Sequence, residues 1–161
     1  MEPTTESLTA VLDSIRQLAS TASSLNAFED EVVKVISQQL PHYDWVGFYM
    51  LDPNDPGTLV LGPFVGESTP HVRIPVDQGI CGAAVASRST IVVDDVNADP
   101  RYLSCSIKTR SEIVVPIFSR GKVVGELDID SHTLAAFTNA DRAFLEEVAG
   151  IVGSRIQHRP K

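Results

Sequence analysis

The sequence predicts an α+β domain: an antiparallel sheet with helices packed on one face and the other face left for loops and a pocket. Three observations predict it. Apolar residues recur at helical spacing at both ends of the chain, and β-branched and aromatic runs fill the middle. A length of 161 residues suits one domain with a sizeable core. The expected division of this single domain, 1–161, is N-terminal helices over about 5–40, sheet and pocket over about 43–131, and a C-terminal helix over about 138–157.

The elements follow in order. From about Thr5 to Ala22, residues Leu8, Val11, Leu12, Ile15 and Leu18 form one helical stripe. From about Ala27 to Leu40, Phe28, Val32, Val33, Val35 and Ile36 form a second, stopped by Pro41. "DWVGFYML" is a strand, "DPNDPG" a turn, "TLVLGPFVG" a second strand, and "HVRIPV" a third, placed at an edge by its proline. "GICGAAVASRS" is a short helix, "TIVVDDV" a strand and "NADPRYLSCSIKTR" a long polar loop. "SEIVVPIFSRGKVVGELDIDS" is a hairpin turning at "SRGK", and "TNAD" opens the last helix, with Phe144, Leu145, Val148, Ile151, Val152 and Ile156 on its apolar face.

Composition excludes several classes. The net charge of −8 argues against a nucleic-acid or anionic-membrane surface, which needs a basic stripe. No apolar run reaches the roughly 18 residues of a membrane span, and the acidic N-terminus does not resemble a secretory signal. The expected compartment is the cytoplasm. There, two cysteines serve as packing residues or as reactive ones, not as a structural staple.

The strand "ELDID" poses the chemical question. Alternation puts Glu126, Asp128 and Asp130 on one face, with Leu127 and Ile129 on the other. Hairpin pairing brings Glu112 near Asp128 and Asp130, giving up to four acids around one end of the sheet. Each acid alone fits a solvated face. Crowded together, they raise one another's pKa, seat a cationic amine and keep a proton for general-acid chemistry. Cys81 lies at a helix start, where the dipole favours a thiolate, or it is a small core residue. Cys105 lies in a polar loop with Arg101, Lys108 and Arg110 nearby in sequence, which also favours a thiolate. Trp45, Gly47 and Tyr49 share a strand face, and the glycine leaves a slot between two rings that suits a methyl- or sulfur-bearing group. His42, His132 and His158 read as structural or surface residues, Asp94 and Asp95 as a turn or cap. Arg73 is a candidate partner for the acids or for a substrate carboxylate.

The stretches "DWVGFY", "RIPVDQGICGAA", "VVDDV", "SCSIKTRSEIVVP" and "VVGELDIDS", from about Asp44 to Ser131, together resemble the free methionine-R-sulfoxide reductases, a family built on a GAF domain. The resemblance implies a GAF fold with a central antiparallel sheet of about six strands. It implies reduction of free L-methionine-R-sulfoxide without a cofactor. Cys105 matches the catalytic thiolate, which becomes a sulfenic acid; Cys81 matches a resolving cysteine, which forms a disulfide recycled by thioredoxin. Glu112, Asp128 and Asp130 match the acids that bind the amino group and protonate the sulfoxide oxygen, and Trp45 and Tyr49 the aromatics around the methyl group. It also implies a homodimer through the terminal helices. The chain departs from the family pattern where His71 replaces a further cysteine, where the loop reads "PRYLSC", and where Glu126 replaces an apolar residue. Two alternatives stand beside the enzyme: a non-catalytic GAF module that binds or senses a small ligand, and a soft-metal site, Cu or Zn, made by His71, Cys81 and Cys105.

Overall fold

Six strands form one antiparallel sheet in the order β3-β2-β1-β6-β5-β4. The computed structural model describes residues 5–103 and 106–157. Helices α1 (Thr5–Thr21) and α2 (Leu25–Gln39) precede β1 (Trp45–Asp52), β2 (Asp55–Val65) and β3 (Arg73–Pro75). Helix α3 (Gly79–Ser87) leads to β4 (Ile91–Val93), then β5 (Ser111–Ser119), β6 (Lys122–Ser131) and α4 (Asn139–Gln157).

The boundaries follow local chemistry. Ser24 caps α2 by accepting the Ala27 amide at 3.1 Å. Thr138 opens α4 through a reciprocal box: its hydroxyl accepts from the Asp141 amide, and the Asp141 carboxylate accepts from the Thr138 amide at 2.9 Å. Arg120 and Gly121, both at positive φ, make the tight β5–β6 turn expected at "SRGK". Two expectations change. The β1–β2 turn needs only Pro53 and Asn54, so Asp55, Pro56 and Gly57 already belong to β2. The expected strand "TIVVDDV" stops at Val93, and a 3-10 turn, Val96–Ala98, leads from its end into the long polar loop, capped by the Asp95 side chain, which accepts from the Asn97 amide at 3.1 Å.

Each central strand serves two layers. On one side, Val46, Phe48, Ile113, Leu127 and Ile129 pack with Phe28, Val32, Leu145 and Val148 from α2 and α4 and with Leu8 to Ile15 of α1. On the other, Trp45, Tyr49, Val114 and Leu59 pack with Ile80, Cys81 and Ala84 of α3. The second face therefore carries a helix as well as loops. Gly82 lets α3 fold back against the segment that follows β3, because a Cβ there would fall 2.7 Å from the Val76 carbonyl oxygen. No helix among the described residues is long and apolar enough to cross a membrane.

Candidate functional site

Register fixes the site. Glu112 pairs with Asp130, Val114 with Asp128, and Pro116 with Glu126; across β6, Asp130 faces Trp45, Asp128 faces Gly47 and Glu126 faces Tyr49. Because β6 and β1 are central and α3 lies above them, the acids are covered. Glu112, Glu126, Asp128 and Asp130 are 5%, 0%, 5% and 2% exposed. Glu112, Asp128 and Asp130 gather at one end of the β5–β6 hairpin, and Glu126 continues the row towards the middle of β6. The tight group is Cys81, Glu112 and Asp128.

Cys81 arrives from α3. Its thiol donates to Asp128 Oδ2 at 3.4 Å. Burial pushes this thiol well above its ordinary pKa, and the charges of Asp128, Glu126 and Glu112 push the same way. The helix dipole expected to favour a thiolate is outweighed. Asp128 is also raised by burial, against opposing hydrogen bonds from Glu112 and Cys81. A hydrogen bond between the Glu112 and Asp128 carboxyls requires one of them to hold a proton. Glu126 is raised well above the usual carboxylate range, first by burial and further by Asp128, with the Cys81 contact opposing.

The aromatic wall differs from the expected slot. The Trp45 indole lies over Gly47, where a Cβ would come within 2.4 Å of the ring. Glycine here makes room for the ring and leaves no gap between rings. Trp45 stacks on Phe64 at 5.4 Å and on Tyr49 at 6.2 Å between centroids. Phe64, opposite Gly47, went unnoticed in the sequence; its place in "GPFVG" was the only signal. The polar tips of the wall hold the loop after β2: Trp45 Nε1 donates to the Glu67 carbonyl at 3.0 Å, and Tyr49 Oη to the His71 carbonyl at 2.8 Å. Beside Asp130 opens a cavity of about 40 Å³ lined by Trp45, Glu67, Thr69, Ser106, Thr109 and His132, among others. That volume admits water, not an amino acid.

Cys105 and His158 lie outside the described residues. Of the cations expected near Cys105, Arg101 pairs with Asp99 at 2.6 Å and Lys108 with Glu67 at 3.3 Å. Arg73 pairs with Asp52 at 3.0 Å on the β1–β2 hairpin, away from the acids. Among the described residues, the cluster of potential metal ligands joins Cys81 to Glu112 and Asp128, and His71 is not part of it. His42 does have a structural place: with Tyr43 it contacts buried Asp141 at the start of α4. Burial raises Asp141, but bonds from His42, Tyr43 and Thr138 outweigh it and hold the carboxyl at about 2.

The GAF domain model matches residues 24–156. The chain is 40% identical to the free methionine-R-sulfoxide reductase of Saccharomyces cerevisiae over 110 residues, which are 68% of this chain and 61% of that protein. It is similar to the solved free methionine-R-sulfoxide reductase of Neisseria meningitidis, in complex with its substrate, at TM-score 0.89 and 36% identity, covering 98% and 93% of the two chains. A candidate GAF sensor protein of Burkholderia vietnamiensis also aligns, at TM-score 0.86 and 32% identity, covering 93% of each chain. A buried thiol among acids on a six-stranded sheet, together with these likenesses, places the chain in the GAF-domain family, in the group that contains the free methionine-R-sulfoxide reductases.

Proposed function

We propose that this chain reduces free L-methionine-R-sulfoxide to methionine by thiol chemistry. The observation that carries the reading is the buried set of Cys81, Glu112 and Asp128, in which the contact between the two carboxyls requires one of them to be protonated. A sulfoxide oxygen leaves readily only when protonated, and a carboxyl that keeps its proton in a dry site is suited to supply one. In this reading the Cys105 thiolate attacks the sulfoxide sulfur while the sulfoxide oxygen takes a proton, forming a Cys105–sulfur bond; that bond then breaks as the protonated oxygen passes from the substrate sulfur to Cys105, so methionine leaves and Cys105 becomes a sulfenic acid. The Cys81 thiol then condenses with that sulfenic acid: an S–S bond forms and water leaves. A thiol held protonated is a poor first nucleophile, which favours the second, resolving role for Cys81. A dithiol reductant of the thioredoxin class returns both thiols. Asp128, Asp130 and Glu112 receive the substrate's ammonium group, and Trp45 and Tyr49 border its methyl end. Because the cavity beside Asp130 admits only water, the loops around it must part to accept an amino acid.

The test is NADPH consumption with thioredoxin and thioredoxin reductase, supplying the R and S epimers of free methionine sulfoxide separately. Turnover with R alone is expected. No turnover with either epimer, in folded and fully reduced protein, would favour a second reading, ligand binding without chemistry, to which the likeness to the candidate GAF sensor protein lends support.

A further inference from the structure

We propose that the same pocket binds a zinc-class divalent metal through Cys81, Glu112 and Asp128. The inference goes beyond the reductase reading and stands without it. One ligating atom from each of these three buried residues lies within 4.8 Å of the others. The sulfur is 3.4 Å from Asp128 Oδ2. Zinc–sulfur and zinc–oxygen bonds at tetrahedral angles hold sulfur and oxygen about 3.6 Å apart, so that edge is already close to the required geometry. The three groups come from α3, β5 and β6, elements packed on one another, so the set is formed before any ligand arrives.

A second observation points to a cation. Glu126 is fully buried, and apart from its contact with the Cys81 thiol neither of its oxygens has a hydrogen-bond partner among the described residues. It stands on the same face of β6 against the same thiol, outside the three-atom group. Asp128 Oδ1 is likewise buried without a partner. Without a metal these acids keep protons in the pocket; a buried carboxyl short of partners is costly, and a dication that displaces the protons offsets that cost. One thiolate with two carboxylates suits zinc, cobalt or cadmium, and does not suit magnesium or calcium, which demand shells of oxygen. Binding displaces the thiol proton and occupies the acids, so the metal acts as a reversible inhibitor of whatever uses this pocket.

The probe is Co2+ alone, added to reduced, chelator-stripped protein and followed by absorption. A thiolate-to-cobalt charge-transfer band saturating at a single equivalent and displaced by Zn2+ is expected. Cys81→Ser should remove the band, while Cys105→Ser and His71→Ala should keep it. Glu126→Gln should weaken binding roughly tenfold or more, the usual cost of losing an outer partner of a metal site. Absence of the band in folded protein would overturn the proposal, as would a band that survives Cys81→Ser or is lost with His71→Ala. Should Cys81→Ser fail to fold, the Cys105→Ser chain, with its single thiol, supplies the second measurement. Zn2+ must slow alkylation of Cys81 there, and an unchanged labelling rate overturns the site. None of these readouts depends on reductase turnover.

Discussion

The two faces of β6 are built from alternate residues of one strand, yet they solve opposite problems. Leu127 and Ile129 enter the helix-covered core and are fully buried among apolar side chains. Glu126, Asp128 and Asp130 are just as buried, but on the face that carries the Cys81 thiol, with few partners for Glu126 and Asp128 among the described residues. Stability comes from the first face. The second gives some of it up to keep protons and charge where chemistry can use them.

Substitutions one residue apart should expose this difference. Asp128→Asn should lower kcat/KM for methionine-R-sulfoxide by on the order of a hundredfold or more, the range expected for a lost general acid. Its melting temperature should hold or rise, because a buried acid is removed. A large loss of stability with activity retained would reverse the assignment of the faces. Leu127→Ala should do the opposite, costing about 2–5 kcal/mol in denaturant unfolding while the folded fraction keeps its kcat/KM.

The helix layer holds one acid that resembles those of the pocket, and it sharpens the comparison. Glu29 of α2 is buried, and burial alone raises its carboxyl from 4.5 to about 7. The folded chain then binds this proton more tightly than the unfolded one. Its contribution is fully present below about 4.5, falls as pH rises towards 7, and is gone above that. Glu29→Gln should therefore stabilise the protein at pH 8 by up to roughly 3 kcal/mol and have no such effect at pH 4. Thermal melts of both chains across that range check it. The smallest effect should come from Thr138→Ala, which removes one half of the α4 capping box at a cost of about 1 kcal/mol, with no change in substrate kinetics.

Much of this was legible in the sequence. Period-two alternation in "ELDID" and "WVGFY" assigned both faces of β1 and β6, and the "SRGK" turn set a register that brings Glu112 opposite Asp130. What alternation cannot supply is contact between distant elements. Cys81 meets Asp128 across 47 positions, so of the two readings open for it, thiolate at a helix start or small core residue, the buried one holds and the acids push its thiol up. Tyr43 meets Asp141 across 98 positions, and nothing in either neighbourhood announces it. The sequence leaves the partner of Arg73 open between the acids and a substrate carboxylate; its strand sits at the sheet edge, where it pairs with Asp52.

The placement of three acids on a central strand also constrains how the chain can fold. A strand slipped by a single residue would turn Glu126, Asp128 and Asp130 into the layer of Phe28, Leu145 and Val148, and present Leu127 and Ile129 to α3. Mispaired hairpins of this kind would be rejected by the energy of desolvating three carboxylates in an apolar core, before α4 could close over them. The residues proposed to bind substrate would thus also proofread the assembly of the sheet that carries them.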